Sequence, residues 1–182
     1  MQRYFEMIRH GDDLQKVYYF TAPVKGSSRA DQKDYILALT TQALIRVVEG
    51  RFKTKKIRCR VTGCQHPGHR FFQAPEEKET DVNIALQMLD DAYQDLCDRF
   101  ILVSGDSDLV PAVGLIKERF PKKQVFVYVP SRNPKRGQAV QLRSVADHAR
   151  ILPLDRHKLQ AAQFPNQVTI SHDVTVTKPA DW

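Results

Sequence analysis

Cysteine is scarce, tryptophan occurs once, and long apolar runs are missing. Cys59, Cys64 and Cys97 are the only thiols in 182 residues. An odd, sparse set does not build a disulfide scaffold and fits a reducing compartment, so a cytoplasmic location is expected. No stretch approaches the ~18 apolar residues of a membrane span. Met1 to Asp13 is too polar for a signal peptide. The glycines include no G-x-G-x-x-G, and neither a flavin nor a nicotinamide fingerprint is present. No haem or non-haem iron ligand set stands out either. Repeats and low-complexity tracts are also missing.

What is present describes a folded domain. Hydrophobic residues make up 42% and charged residues 27%, which argues against disorder. At this length one domain can bury a sizeable core. Lys plus Arg number 28 against 21 Asp plus Glu, a net charge of +7. That excess favours a polyanionic partner such as nucleic acid, although plain solvation gives the same sign.

The hydrophobic pattern alternates between strand and helix. KVYYF (16–20) is aromatic and β-branched, so a strand is expected, followed by a Pro, Gly and Ser loop over 21–30. Ile36, Leu39, Ala43, Leu44 and Val47 recur at helical spacing and predict a helix from Asp31 to about Glu49, stopped by Gly50. KIRCRV (56–61) alternates like a strand, and 62–79 is expected to be a loop. Thr80 is the expected N-cap of a helix whose apolar face is Val82, Ala85, Leu86, Leu89, Tyr93 and Leu96. FILV (100–103) is continuous and predicts a buried strand. A helix starting near Asp108 tolerates Pro111 in its first turn. QVFVYV (124–129) predicts another strand, 142–149 a short helix and 151–154 a last strand. Val168–Ile170 and Val174–Val176 predict a hairpin. Strands alternating with helices imply an α/β fold with a mostly parallel sheet covered on both faces.

Open α/β sheets place their chemistry at the carboxyl ends of strands. SGDSD (104–108) leaves FILV at such an end, and Asp106 and Asp108 can face one small volume there. Gly105 is expected to permit the sharp turn. Two nearby like charges are costly unless a cation or shared proton compensates, and Mg²⁺ or Mn²⁺ is the natural compensation. The competing reading makes Asp108 a helix cap and Asp106 a turn residue. Asp81 starts the helix that feeds FILV, so it belongs at the same end of the sheet. Its competing role is a favourable helix-dipole interaction, worth roughly 0.3–1 kcal/mol. Three carboxylates from two segments can hold a divalent ion that activates water against a phosphate. Asn83 and Ser104 are candidates to orient water or substrate.

EEKETDVNIALQMLDDAY, followed by FILVSGDSDLVPAV, resembles the NYN domains, a branch of the PIN-like metal-dependent ribonucleases. Residues 152–182, with HKLQAAQFPNQV and KPADW, resemble one bacterial subgroup. The resemblance implies a three-layer α/β/α fold and RNA phosphodiester hydrolysis, with Asp81, Asp106 and Asp108 as metal-site and catalytic residues. It also shows a departure. The family's first strand carries an Asp in a D-G-x-N segment, which has no counterpart here. KVYYF matches the family's second strand, and Asp12 and Asp13 match nothing in the motif. The expectation is one NYN domain over 1–182, N-terminally incomplete, with a C-terminal extension over 155–182 that carries the hairpin. An N-terminal segment or a second subunit would supply the central strand, so a homodimer is one expected partner state.

Cys59, Cys64, His66 and His69 are ligand types that zinc prefers, but C-x4-C-x-H-x2-H is not a standard finger spacing. A surface loop with chance histidines and a half-buried Cys59 is the favoured reading, and zinc the weaker one. Cys97 is expected in or near the core. Lys25, Arg29, Lys33 and Lys78 border the expected acidic edge, and Arg132, Lys135, Arg136 and Arg143 follow another strand end. Lys25, Arg29, Lys78 and Arg132, with Asn83 and Ser104, form the expected substrate-binding set, where bases would position an RNA backbone. The run RFKTKKIRCR (51–60) adds charge on an unassigned face. Tyr128 and Phe72 are candidates to stack on bases or to pack in the core. The expected function is thus a metal-dependent endoribonuclease. The alternatives are a degenerate nucleic-acid-binding or interaction module and, less favoured, a small-molecule enzyme. That last group covers a phosphohydrolase or a pyridine-derivative hydroxylase, a label sometimes given to proteins resembling this subgroup.

Overall fold

Strands form where β-branched and aromatic residues cluster, and each parallel pair is joined through a helix. In the computed structural model, which describes residues 1–24, 29–64, 71–131, 139–152 and 155–179, the chain begins with helix α1 (Gln2–Ile8) and strand β1 (Val17–Thr21). Helix α2 (Arg29–Thr40) and strand β2 (Ile45–Glu49) follow, then the antiparallel strands β3 (Arg51–Arg58) and β4 (Phe71–Lys78). Next come α3 (Thr80–Tyr93), β5 (Arg99–Val103), α4 (Val110–Arg119) and β6 (Gln124–Pro130). The chain continues through α5 (Val140–Val145), β7 (His148–Leu152), α6 (Arg156–Ala161) and the hairpin β8 (Gln167–Ser171) with β9 (Val174–Thr177).

Strand β6 is the centre of the fold. It pairs in parallel with β5 on one side, Leu102 opposite Val127, and with β7 on the other, Val129 opposite Ile151. Its side chains alternate between faces. Val125, Val127 and Val129 pack with Phe100, Leu102, Met88, Ala92, Val113, Ile116 and Leu142, so α3, α4 and α5 cover that face. Phe126 and Tyr128 pack on the other face with Leu152 and with Tyr4 and Phe5 of α1. Helices therefore cover both faces of a parallel sheet, as the alternating pattern predicts.

The parallel strands make two ladders, β1–β2 and β5–β6–β7, with no strand pairing between them among the described residues. Helix α3 spans both. Met88 and Ala92 pack in one cluster with Phe100 and Leu102 of β5. On β1 the Tyr18 hydroxyl donates to the Asp91 carboxylate at 3.2 Å and accepts from Gln87 at 3.1 Å. Burial and the Asp91 charge push the Tyr18 hydroxyl up to about 12, so it stays protonated as a donor. The carboxyl ends of the two ladders share one side. Gly50, just past β2, sits so close to the start of α3 that a Cβ there would lie 2.7 Å from the Lys78 carbonyl oxygen and 2.8 Å from Thr80 Oγ1.

Several expectations need correction. The predicted helix 31–49 stops at Thr40, and Ile45–Glu49 is a strand. Thr40 and Thr41 hydroxyls bond back to the Leu37 and Ala38 carbonyls, and the run Ile45, Val47, Val48 then pairs with β1. Gly50 therefore ends a strand and allows a close approach rather than stopping a helix. The expected loop 62–79 contains β4. The α3 face is also rotated from the prediction. Val82, Leu86, Tyr93 and Leu96 are 51–70% exposed, while Met88 and Ala92 are buried. Thr80 lies inside α3 rather than capping it; the cap is Glu79, with φ 76° and no side-chain cap bond. Near the C-terminus the helix ends at Val145, and Asp147 is drawn to the sheet by accepting the Val125 N–H at 2.7 Å. Helices α1 and α6 were not foreseen. The Val168–Val176 hairpin, FILV, QVFVYV and the Pro111 helix start agree with expectation.

Asp12 is tied to structure, not to chemistry. Its carboxylate bridges the guanidiniums of Arg9 and of Arg99, at the start of β5, and both guanidiniums lie over the Phe126 ring at 4.3 and 4.8 Å. The Arg9 hydrogen bond, opposed by desolvation and helped by the charges of Arg9 and Arg99, holds Asp12 below its ordinary carboxylate value. A depressed carboxylate stabilises the fold above its unfolded pKa and loses that contribution as pH falls. Asp12→Asn should therefore cost about 1 kcal/mol at neutral pH, and the difference from wild type should shrink once the pH drops below about 4. Urea melts at both pH values check this, and an unchanged neutral midpoint contradicts it.

Candidate metal centre

The acidic site stands at the carboxyl end of β5, where the ladder hands over to a turn. The Ser104 N–H still donates to the Tyr128 carbonyl at 3.1 Å, which extends the β5–β6 pairing by one residue. Ser104 Oγ then accepts the Asp106 N–H at 3.1 Å, and Asp106 Oδ1 accepts the Asp108 N–H at 2.9 Å. These bonds fold SGDSD into a 3-10 turn, Ser107–Leu109, capped by Asp106. Leu109 is fully buried and anchors the turn in the core. Gly105 is not the cause of the bend. Its φ lies outside the left-handed region, and a Cβ there would meet only Val129 Cγ1, at 3.5 Å.

Asp81 arrives from the first turn of α3. Asp81, Asp106 and Asp108 each offer a carboxylate oxygen, and these oxygens all lie within 4.8 Å of one another. Asp106 and Asp108 are exposed, while Asp81 is half-buried. Burial raises Asp81 above its ordinary carboxylate value, and the charges of Asp106, Asp108 and Glu77 raise it further. Capping and convergence therefore coexist. Asp106 spends one oxygen on the Asp108 amide, and its carboxylate still belongs to the cluster. Three hard oxygen donors at this spacing fit a small divalent cation such as Mg²⁺ or Mn²⁺.

The other expected residues divide. Ser104 braces the turn. Asn83 is half-buried on α3 two residues beyond Asp81, and its N–H donates to the Glu79 carbonyl at 2.8 Å. Lys78 is exposed and pairs with Glu76 at 3.1 Å. Lys25 and Arg132 lie outside the described residues, as does the Arg29 side chain, and so do Lys135, Arg136, His66 and His69. Of the thiols, Cys59 and Cys97 are half-buried and Cys64 is exposed. Tyr128 is 3% exposed and edge-on to Phe5, so it packs in the core and does not stack on bases. Phe72, by contrast, is exposed. Glu77, one of the glutamates in EEKE (76–79) before Asp81, adds its charge to the site although the sequence reading assigns it no role there.

The NYN domain family profile matches residues 1–153. The chain belongs to the NYN domain family. NYN domains are PIN-like, and the mixed α/β structure with parallel strands agrees with that membership. NYN nucleases depend on divalent metal and act on RNA, and the acidic cluster could hold such an ion. The chain is also similar to 6-hydroxy-3-succinoylpyridine 3-monooxygenase HspA of Pseudomonas putida (strain DSM 28022 / S16). Identity is 28% over 181 residues, covering 91% of this chain and 57% of that protein. The chain thus spans little more than half the length of that relative. No solved structure matches. No helix among the described residues is long and apolar enough to cross a membrane.

A raised carboxylate weakens the fold when it is ionised, and the penalty disappears as pH falls through its pKa. In chelator at neutral pH, Asp81→Asn should therefore raise the melting temperature, and the gain should vanish in acid. Adding Mn²⁺ should stabilise wild type but not the variant. Thermal melts with and without metal check both signs. A variant that melts lower in chelator, or one still stabilised by Mn²⁺, contradicts the site.

Proposed function

We propose that this NYN domain is a metal-dependent endoribonuclease that hydrolyses RNA phosphodiester bonds. The convergence of Asp81, Asp106 and Asp108 at the carboxyl end of β5 carries the reading. These three carboxylates would hold Mg²⁺ or Mn²⁺, which lowers the pKa of a bound water and steadies negative charge on the phosphate. The protein's own part is to hold the carboxylates together. The Ser104 and Asp106 hydrogen bonds set two of them, and α3 sets the third. A bound cation would offset the repulsion from Asp106, Asp108 and Glu77 that Asp81 meets in the metal-free site. Asn83, half-buried two residues beyond Asp81, would orient water or substrate. Lys25, Arg29 and Arg132 are assigned by sequence position to the RNA backbone.

A second reading is a nucleic-acid-binding module with little or no cleavage. The break between the β1–β2 and β5–β6–β7 ladders favours it, because a site flanked by a continuous sheet is held more rigidly. The monooxygenase activity in the relative's name is a less favoured reading for this chain, which covers 57% of that protein and carries no flavin or nicotinamide fingerprint.

Labelled single-stranded and structured RNA incubated with Mn²⁺, Mg²⁺ or EDTA separates these readings. The nuclease reading expects metal-dependent cleavage that falls by roughly 100-fold or more in Asp106→Asn, with the fold intact by circular dichroism. Full activity in the variant, or no cleavage with either metal, contradicts it.

A further inference from the structure

We propose that the antiparallel ribbon β3–β4 is a single-stranded RNA-binding arm attached to the acidic site. The ribbon is eight residues long on each strand, roughly 26 Å. Its base runs directly into α3, since Lys78 ends β4 and Asp81 follows three residues later. No fully buried residue lies on either strand. It therefore contributes little to the core, and its sequence is free to serve a surface role.

Charge along the ribbon is sorted. All its acidic residues stand at the base, where Glu76 pairs with Lys55 and Lys78, and Glu79 just beyond β4 pairs with Arg51. The distal part holds Lys56, Arg58 and, just past β3, Arg60. Among the described residues these three form no ion pair with a carboxylate. Two large aromatic side chains lie beside them, Phe71 on the face of Lys56 and Arg58 and Phe72 on the opposite face. Phe71 is 48% and Phe72 52% exposed. Phe71 faces Arg58 across the ladder, and Lys56 Nζ lies 4.9 Å from its ring centre. Phe72 faces Ile57 on the other side of the ribbon.

Exposed rings cost free energy in water unless something covers them. Lys56, Arg58 and Arg60, paired with no carboxylate among the described residues, favour an anionic cover. A single-stranded nucleic acid wrapped over the ribbon's end meets both needs: an unstacked base lies on Phe71 on one face and another on Phe72 on the other, while phosphates meet the cations. Duplex RNA keeps its bases stacked on each other and offers the rings nothing. This inference rests on the nuclease reading only for what happens next, because RNA held along the ribbon is led toward Asp81.

The test measures binding without cleavage. A short labelled single-stranded RNA is titrated in EDTA, at about 50 and about 200 mM salt, with wild type and two full-length variants. Phe71→Ala with Phe72→Ala should weaken binding about tenfold or more with the salt dependence unchanged. Lys56→Gln, Arg58→Gln and Arg60→Gln together should lower the slope of log affinity against log salt by about 2, from roughly 0.7 per phosphate contact. All substituted side chains are solvent-exposed, and unchanged melting curves confirm that the fold survives. Wild-type affinity and slope in both variants overturn the arm, as would follow if the ribbon docks a protein instead. Equal weakening toward blunt duplex RNA overturns the stacking role. Cleavage of the same RNA in Mn²⁺ is read separately. Variants that lose binding beside a wild type that never cleaves support the arm and sink the nuclease reading; wild-type binding in variants beside metal-dependent cleavage does the reverse.

Discussion

The half-buried carboxylate of Asp81 is held against the exposed carboxylates of Asp106 and Asp108, and their repulsion is the constraint on which the rest of the site depends. Nothing about Asp81, Asp106 and Asp108 favours their meeting in the absence of a cation. They meet because the fold forces it. The parallel pairing of β5 with β6 ends at Ser104, and the Ser104–Asp106–Asp108 hydrogen bonds fix the turn that follows. Leu109 pins that turn into the core, and Met88 and Ala92 pin α3 to β5, so Asp81 cannot move away. Core burial thus holds a strained charge arrangement in place, a common sign of a site built for a ligand.

The same scaffold explains the layout around the site. Strand β6 is buried on both faces and fixes α1 below and α3, α4 and α5 above. The Arg9–Asp12–Arg99 bridge fastens the N-terminal helix at the other end of β5, away from the acidic cluster. Helix α3 links the two ladders through Tyr18, and Gly50 lets the β3–β4 ribbon leave beside the start of that helix. The acidic cluster and the base of the ribbon therefore lie at one end of the sheet, where open α/β folds place their sites.

Much of the site was legible because it is local. SGDSD after an apolar run identifies a strand end with two carboxylates, and the direction of the preceding helix puts Asp81 with them. The α/β class was legible for the same reason, since FILV and QVFVYV are continuous apolar runs. What escaped depends on contacts distant in sequence. Ile45–Glu49 carries a helix-compatible spacing, and only pairing with β1 makes it a strand. Pro75 and the acidic run 76–77 disguised β4, whose partner lies up to 27 residues away along the chain, with Arg51 opposite Lys78. The apolar stripe of α3 pointed to Leu86 and Tyr93 as core, yet packing on β5 chose Met88 and Ala92. Tyr128 and Phe72 looked alike as candidate stacking residues, and only tertiary burial separates them.

Counting bound ions tests the central claim most directly. Mn²⁺ titrated into the chelator-stripped protein and followed by electron paramagnetic resonance reports free and bound metal without any assumption about substrate. The account predicts saturable binding of Mn²⁺ that is competed by Mg²⁺ and lost in Asp106→Asn. No saturable binding, or binding that survives the substitution unchanged, would contradict it.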